Sequence, residues 1–460
     1  MSVATLARRL RVGELSPREA VQSYLDRIEA LDPALNAYIT VRAEEALAEA
    51  DALLAGAGQV RPPLWGVPIA VKDVIDVAGT PTTAASKILV GNVPARDAAV
   101  VERLRAAGAV VLGKLNTHEF AYGALTTSAH FGPARNPWVL DRVCGGSSGG
   151  SGAAAAADLA AGTLGTDTAG SIRIPACFCG VTGLRPTTGR VSNRGVVPVA
   201  WSFDAVGPIS RSAEDCALLL EAIAGHDPAD PSTARVSVPR YSEALAPDLR
   251  GLRIGVVSEL FERRVDARVA RVVRDAVDEL GALGAQVEPA ELPLLSKLGT
   301  IQQAMQFVEA TAAHLEWLRT RLPEYGDDVR ARLLTGLFLP STTYVLGQRA
   351  RRLAYEEFRA VMERFDLLAA PTMPVLPPRI GEETVTLNME TVPYRLTLIP
   401  FNSPWSCVGA PVASVPCGFL DGLPVGLALV GRRFAEATVL RAAHAFQTET
   451  DWHERRPEPQ

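Results

Sequence analysis

Hydrophobic residues follow two different spacings along the chain. After Ser16-Pro17-Arg18-Glu19, which has the form of a helix capping box with proline at the first helical position, apolar residues recur every three or four positions, as on one face of a helix. Helices are likewise expected at about residues 41–54, 97–107, 266–283, 348–365 and 435–448. Short apolar runs, typical of buried strands, predict strands at residues 64–71, 108–112, 253–257, 286–287, 367–370, 411–416 and 425–430.

Strands and helices therefore alternate along much of the chain. Such alternation is typical of layered α/β folds with a mostly parallel or mixed sheet. Residues 226–250 are rich in proline, aspartate and alanine, and we expect them to form a surface excursion and not a domain boundary.

Composition and charge narrow the class of protein. The 460 residues are 48% hydrophobic and 21% charged, as in an ordinary globular protein with ample apolar material for a core. A net charge of −5 gives no electrostatic footprint for nucleic acid or for an anionic membrane, so neither is expected as a partner. Six sparse cysteines, with no apolar signal core and no membrane-like stretch, predict reduced thiols and a cytoplasmic protein.

Two serine-bearing, glycine-rich segments lie close together in the chain, at residues 145–151 and 165–173. Between them, residues 152–162 are small and apolar, and their alanine run predicts a tightly packed helix. Glycines around hydroxyl groups allow backbone N–H groups to approach a ligand closely, which suits a site that holds negative charge. Serine is a poor nucleophile on its own, so such a site needs a base from elsewhere in the chain.

Lys72 is the candidate base. Of the 46 lysines and arginines only four are lysines, and Lys72 follows the apolar run 66–71. Lysine can lose its proton when it is desolvated, whereas arginine effectively cannot, so Lys72 is suited to accept a proton near neutral pH. The alternative is a structural lysine that pairs with Asp73 or Asp76 at the end of a strand.

These segments resemble the motifs of the amidase signature family. Residues 145–173 are similar to the family pattern, which reads close to GGSSGGS…GSDTGGSIR. Residues 66–73 are similar to its G-[VI]-P-[IV]-x-[VI]-K-D segment. Two long motifs in the same order make the resemblance highly specific.

The resemblance implies a Ser–cis-Ser–Lys triad. Carried onto the matching positions, Ser171 is the nucleophile, Ser147 is the bridging serine on a cis peptide bond, and Lys72 is the base. The step of 24 residues from Ser147 to Ser171 fits the family pattern without a gap. The resemblance also implies an α/β fold of one large domain, residues 1–460, with a central mixed sheet surrounded by helices.

The mechanism implied by the resemblance is acyl transfer without a metal or other cofactor. Lys72 takes up a proton through Ser147 as Ser171 attacks the substrate carbonyl, and water then hydrolyses the acyl-enzyme. The oxyanion is expected to be held by backbone N–H groups of a short loop, Thr168, Ala169, Gly170 and Ser171. The family commonly has glycine at the position of Ala169, which is strained here if the backbone needs a positive φ.

Two other patterns suggest different chemistry. Residues 108–114 spell G-x-x-x-x-G-K, but Leu115 replaces the serine or threonine of a P-loop, so phosphate binding is not expected. Two overlapping G-x-S-x-G matches within residues 145–150 have the form of a nucleophile elbow, which needs a late histidine such as His444. An elbow gives no role to Lys72 or to the second serine segment, so the lysine triad is preferred.

Residues around the nucleophile have structural and substrate-binding interpretations. Asp167 and Arg173 flank Ser171, and we expect an ion pair that holds the loop. Candidate residues of the substrate pocket are Asn116, Tyr122, Ile399 and Trp405. For Asn116 a hydrogen bond that supports the loop is an equally open alternative, and for the aromatic residues the alternative is a place in the core.

The resemblance also offers a comparison with the family's glutaminase subunits, which bind the ammonium group of an amino acid through an aspartate. Counting back from residues 414–418 places that position at Ile399, while Arg332 is the candidate for their carboxylate-binding arginine. A family asparagine is likewise replaced by Ser406. Apolar Ile399, with Phe338 among the aromatic residues expected nearby, favours an uncharged substrate such as an anilide or a carbamate.

From these features we expect a stand-alone serine amidase that cleaves uncharged amides, and also carbamates and esters. It is expected to be closer to aryl amidases and urethanases than to glutaminase subunits. The expected partner is a small-molecule amide or carbamate, with no nucleic acid and no membrane, and the expected state is a monomer or homodimer. The alternative is the glutaminase subunit of a tRNA-dependent amidotransferase, which would co-purify with a second chain.

Overall fold

The computed structural model of the protein describes residues 1–56, 61–262, 265–387 and 390–458. The helices are α1 (Val3–Val12), α2 (Pro17–Leu35), α3 (Ala43–Ala55), α4 (Ala99–Ala106), α5 (Gly149–Ala156), α6 (Arg173–Cys179), α7 (Ala213–Ile223), α8 (Ser258–Glu262), α9 (Ala267–Ala282), α10 (Leu295–Thr320), α11 (Asp327–Phe338), α12 (Ser341–Arg364), α13 (Arg395–Leu398), α14 (Ser403–Val408) and α15 (Glu436–Glu449). The strands are β1 (Tyr38–Val41), β2 (Pro68–Lys72), β3 (Val110–Leu115), β4 (Thr127–Ser128), β5 (Gly132–Pro133), β6 (Gly162–Asp167), β7 (Thr182–Arg185), β8 (Ala205–Ser210), β9 (Arg253–Val257), β10 (Gln286–Ala290), β11 (Leu367–Pro371), β12 (Thr384–Leu387), β13 (Glu390–Pro393), β14 (Val412–Leu420) and β15 (Leu423–Gly431).

Eleven strands of the described chain form one mixed sheet, in the order β1-β3-β2-β6-β8-β7-β14-β15-β11-β9-β10. Strand β2 runs parallel to β3 and β6, and β9 runs parallel to β10 and β11. The remaining neighbours are antiparallel. The helices surround this sheet, so the predicted class, an α/β fold with a central mixed sheet, is confirmed.

The parallel pair β2 and β6 positions the candidate site. Both strands are buried along their whole length, and Val71 of β2 lies opposite Leu164 of β6. Because parallel strands end at the same edge of a sheet, Lys72 and Asp167 reach that edge together. The second serine segment begins directly after Asp167, so the fold brings it close to Lys72.

Helix α5 packs beside these strands with almost no side-chain bulk. Every residue of the helix is buried. At Gly150 a Cβ atom would lie 2.5 Å from the carbonyl oxygen of Ala37 and 2.6 Å from the backbone nitrogen of Asn116. Only glycine fits this backbone-to-backbone approach, which explains the glycine at residue 150. The helix predicted at residues 152–162 is therefore present, but it begins earlier and ends at Ala156.

The other predicted elements differ from the structure mainly at their ends. The helix predicted from residue 41 begins later, at Ala43, because Val41 belongs to strand β1 and pairs with Gly113 of β3. Strand β2 begins later than predicted because Gly66 turns the chain with a φ of 75°. Helix α12 begins at Ser341 and not at residue 348. Its first turns were not predicted because Val345 and Leu346 are exposed apolar residues that break the apolar periodicity of the helix.

The capping box of α2 is present as predicted. The Ser16 side chain accepts the backbone N–H of Glu19, and the Glu19 carboxylate accepts the backbone N–H of Ser16. All six cysteines are buried and free. Within the described ranges, no helix combines the length and the apolar character needed to cross a bilayer.

Candidate active site

Lys72, the last residue of β2, lies fully buried between two hydroxyl groups. Its Nζ is 2.7 Å from Ser147 Oγ and 2.7 Å from Thr166 Oγ1. The carboxylate of Asp73, the partner expected for a structural lysine, is instead 3.0 Å from Nζ of Lys114. The two buried lysines therefore differ in their partners: Lys72 contacts hydroxyl groups, whereas Lys114 contacts a carboxylate.

The surroundings of Lys72 favour its neutral form. Burial lowers the pKa of Lys72 to about 7, although Asp167 and Asp204 act in the opposite direction. A lysine with this pKa is partly deprotonated at neutral pH, and its free lone pair can then accept the proton of the Ser147 hydroxyl.

The first serine segment is a tight turn before α5. The peptide bond between Gly146 and Ser147 is cis, as the resemblance implies. Ser148 has a structural role, because its Oγ donates to the carbonyl oxygen of Thr166 at 3.1 Å and accepts the N–H of Thr166 at 3.2 Å. The G-x-S-x-G match centred on Ser148 is therefore part of the scaffold, while the Ser147 hydroxyl bonds to a lysine and not to a histidine.

Ser171 lies beside this turn, just before α6. The N–H of Ser148 donates to the carbonyl oxygen of Ser171 at 3.2 Å, which ties the second serine segment to the first. Ser147 and Lys72 are fully buried, whereas Ser171 is partly exposed. Of the three predicted triad members, the proposed nucleophile is thus the one that a substrate can reach.

A buried carboxylate holds the loop between β6 and α6. Asp167 Oδ1 is 2.9 Å from Nη2 of Arg173, which confirms the predicted ion pair, and 3.2 Å from Nη1 of Arg185. Burial alone would raise the pKa of Asp167, but the two guanidinium groups hold it well below its usual range. Arg185 comes from β7 and was not predicted from the sequence. Ser406 joins the same network, because its Oγ accepts a hydrogen bond of 2.7 Å from Arg173.

The oxyanion loop, residues 168–171, has three backbone N–H groups that are not engaged by the described chain. The N–H of Gly170 donates to Asp167 Oδ1 at 2.9 Å, so this predicted donor is already engaged. Among the residues that the structure describes, no acceptor is found for the N–H groups of Thr168, Ala169 and Ser171. Ala169 does not have a positive φ, so its methyl group causes no backbone strain, whereas Gly170 has a φ of 127°.

The predicted pocket residues have different environments. Asn116 is buried and its Nδ2 donates to the carbonyl oxygen of Asn36 at 3.0 Å, so it supports the loop as the alternative foresaw. Tyr122 is buried with its ring 6.4 Å from that of Phe307 in α10, and its hydroxyl has no partner within the described chain. Trp405 belongs to the main hydrophobic core.

The environments of the remaining candidates agree less well with the roles proposed for them. Ile399 is half-buried, and its carbonyl oxygen accepts the N–H of Ser403 at 2.8 Å at the start of α14. The guanidinium of Arg332 donates to the carbonyl oxygen of Tyr122 and lies 3.3 Å from Asp328. Phe338, expected near the pocket, is instead 84% exposed at the end of α11.

Known proteins resemble the chain over nearly its whole length. Residues 19–440 match the family model described as Amidase. The A subunit of the glutamyl-tRNA(Gln) amidotransferase of Moorella thermoacetica is 44% identical over 97% of this chain and 96% of that protein. A solved structure of a vestigial protein complex, which concerns the origins of an s-triazine catabolic enzyme, is 37% identical with a TM-score of 0.94 and covers 98% of each chain. The corresponding amidotransferase protein of Thermotoga maritima is 34% identical with a TM-score of 0.83, over 100% of this chain and 98% of that one.

These similarities correct three expectations from the sequence. The chain is not closer to aryl amidases and urethanases than to glutaminase subunits, because the 44% identical relative is an amidotransferase subunit. The main expectation, a stand-alone amidase for uncharged amides, is wrong for the same reason, and the relatives favour the alternative. The expectation of a small-molecule substrate with no nucleic acid, in a monomer or homodimer, is overturned as well, because these relatives are subunits named for a tRNA.

The apolar side chain of Ile399 indicates the local polarity at that position, but it does not decide the branch of a family. Similarity along 97% of the chain is the stronger observation.

Proposed function

The chain belongs to the amidase family, and we propose that it is the glutamine-hydrolysing A subunit of a glutamyl-tRNA(Gln) amidotransferase. The single observation that carries the chemistry is the buried Lys72–Ser147 pair, in which Nζ and Oγ are 2.7 Å apart. The 44% identity to the Moorella thermoacetica protein supports the choice of substrate and of assembly.

The proposed reaction begins with proton transfer. Neutral Lys72 takes the proton of Ser147, and Ser147 takes the proton of Ser171 as its Oγ attacks the carboxamide carbon. The N–H groups of Ala169 and Ser171 stabilise the negative oxygen of the tetrahedral intermediate. The proton then returns through Ser147 to the leaving nitrogen, which departs as ammonia. Water hydrolyses the resulting ester by the same route in reverse.

Burial away from water favours the neutral form of Lys72, which is the form that can act as a base. A lysine that faced a carboxylate would keep its proton, as an opposite charge raises the pKa of a cation. In this protein Asp73 is paired with Lys114, and Asp167 is neutralised by Arg173 and Arg185. Asp73 and Asp167 are thus balanced by other cations, and burial outweighs the opposing effect of Asp204 on the pKa of Lys72, so the neutral base is accessible.

The proposed assembly replaces the stand-alone enzyme expected from the sequence. In a tRNA-dependent amidotransferase the released ammonia is used on the aminoacyl group of a tRNA, so the natural partners are the other subunits and, through them, a charged tRNA. The net charge of −5 does not exclude this, because the charge of one chain says nothing about how the complex holds nucleic acid.

Ammonia release from glutamine tests this proposal. The chain is co-expressed with the other subunits of the amidotransferase from the same organism, and ammonia is measured in a coupled assay. We expect glutamine hydrolysis that falls about a thousandfold or more in Ser171→Ala, because the nucleophile is lost. Ser237→Ala is the matched control, since Ser237 is exposed, and its activity should equal that of the wild type.

Two results contradict the proposal. One is a wild-type complex that releases no ammonia from glutamine. The other is a folded Ser171→Ala complex that hydrolyses glutamine at the wild-type rate.

A further inference from the structure

Helix α10 places a side-chain amide against the oxyanion loop. Gln302 is fully buried, and its Nε2 lies 3.2 Å from the carbonyl oxygen of Thr168 and 3.3 Å from Oε1 of Gln306. Because a backbone carbonyl can only accept a hydrogen bond, the NH₂ group of Gln302 must face Thr168. The Oε1 of Gln302 then has no partner in the part of the chain that the structure describes.

We propose that Gln302 is a positioning residue for the oxyanion hole. The peptide unit between Thr168 and Ala169 is planar and trans, so its C=O and N–H point in opposite directions. A hydrogen bond that fixes the carbonyl of Thr168 therefore also fixes the direction of the N–H of Ala169. This inference rests on the proposed hydrolysis at Ser171, and it assigns a role in that reaction to a residue of α10, distant in sequence from both serine segments.

Other contacts of the loop leave this peptide plane unfixed. The hydroxyl of Thr168 donates to Asp204 Oδ1 at 2.6 Å, which anchors its side chain. The N–H of Gly170 donates to Asp167 Oδ1 at 2.9 Å, which anchors the following peptide unit. Neither contact restrains rotation of the peptide unit between Thr168 and Ala169. The amide of Gln302 supplies that restraint.

The hydrogen bond from Gln302 to the carbonyl of Thr168 stabilises the transition state more than the ground state. The negative charge on the substrate oxygen develops only as Ser171 attacks, so a misdirected N–H of Ala169 weakens stabilisation at that moment. Removal of one oxyanion donor costs about 10²–10³ in kcat, and misdirection should cost part of this. We expect variants of Gln302 to lose about tenfold to a hundredfold in kcat with little change in KM.

The direct test uses a fluorophosphonate, because its phosphoryl oxygen occupies the same hole and the reagent does not depend on the natural substrate. Ser171 Oγ forms a bond to phosphorus, the P–F bond breaks, fluoride leaves, and the hydroxyl proton passes through Ser147 to Lys72. Gln302→Glu keeps the size of the side chain; burial raises the pKa of its carboxyl, so the variant is assayed at alkaline pH, where the ionised carboxylate cannot donate. Gln302→Met keeps a similar volume without a polar group.

Both variants are expected to react with the fluorophosphonate at about one tenth of the wild-type rate or below, and their melting temperatures are expected to be unchanged. Gln303→Ala is the matched control, as Gln303 is a half-buried glutamine of the same helix, and it should react at the wild-type rate. If either substitution lowers the melting temperature, Gln302→Asn, which keeps the donor on a shorter side chain, replaces it and should recover part of the rate.

Wild-type reaction rates in folded Gln302→Glu and Gln302→Met overturn the inference. So does a loss that appears in KM and not in kcat. The proposed function is tested separately: a wild-type complex that does not hydrolyse glutamine but reacts with the fluorophosphonate, and more slowly in the two variants, contradicts the choice of substrate and supports the role of Gln302.

Discussion

At the scale of residues, the environment of each lysine decides its chemistry. Lys72 and Lys114 are both fully buried, yet one lies between two hydroxyl groups and the other pairs with Asp73. Burial penalises the charged form in both, but only Lys114 is compensated by a direct carboxylate. Lys72 is therefore the one suited to gain and lose a proton during a reaction.

This difference predicts the pH dependence of activity. Burial lowers the pKa of Lys72 to about 7; below that pH the amine is protonated and cannot act as a base. We expect kcat/KM to rise with pH through about 7 and then to level off, measured between about pH 5 and pH 9. Lys72→Ala should lose about 10²–10⁴ in rate above about pH 7, where the wild-type amine is neutral, and less at lower pH.

Lys87→Ala is the control for this prediction, because Lys87 is exposed and its loss should leave the profile unchanged. A flat profile, or activity that falls as the pH rises through 7, contradicts the assignment of Lys72 as the base.

The sequence reveals some site residues and hides others for a physical reason. Lys72, Ser147 and Ser171 stand in two local motifs whose residue types have a recognisable purpose, so they were predictable. Arg185 and Gln302 come from β7 and α10, in segments with no such motif, and only the packed fold brings them to the loop. Side chains of that kind act through tertiary contacts, which no local pattern records.

At the scale of elements, residue size predicted the packing of α5 but not its contacts. The alanine and glycine run indicated a tightly packed helix. That Gly150 meets the backbone at Ala37 and Asn116 became evident only from the structure. Element ends were predicted less well, because strand pairing in β1 and exposed apolar residues in α12 override the local spacing.

The close approach of α5 predicts a loss of stability on a minimal change. In Gly150→Ala the new methyl carbon would lie 2.5 Å from the carbonyl oxygen of Ala37, so the helix has to shift. We expect the free energy of unfolding to fall by about 1–3 kcal/mol, measured by chemical denaturation.

Gly281→Ala is the matched control in α9. Its added methyl carbon has its nearest contact at 3.7 Å, to Val287, and alanine favours a helix. Stability should therefore rise by about 0.5–1 kcal/mol. Equal stability of Gly150→Ala and the wild type contradicts the packing described for α5.

At the scale of the whole molecule, one sheet joins distant parts of the chain. Strand β1 lies near the start of the sequence and β15 near its end, and both belong to the same eleven-stranded sheet of the described residues. We propose on this ground that residues 1–460 form one domain. The alternation of strands and helices predicted the α/β class, but the strand order depends on long-range pairing that the spacing of residues does not encode.

Partners are the property least accessible from the sequence of a single chain. The net charge of −5 predicted no contact with nucleic acid, whereas the relatives are subunits named for a tRNA. A whole-chain sum averages over faces with different charge, and another chain of a complex can supply the contacts to the nucleic acid. The net charge of one chain is therefore evidence about its direct binding of nucleic acid, and not about the subunits with which it assembles.

The site at which a fluorophosphonate attaches tests the central claim most directly. After treatment of the protein, peptide mapping by mass spectrometry identifies the modified residue. The Lys72–Ser147–Ser171 triad predicts a single adduct on Ser171, which is lost in both Ser171→Ala and Lys72→Ala. An adduct on Ser147 or Ser148, or labelling of Ser171 that persists at the wild-type rate in Lys72→Ala, would contradict the triad.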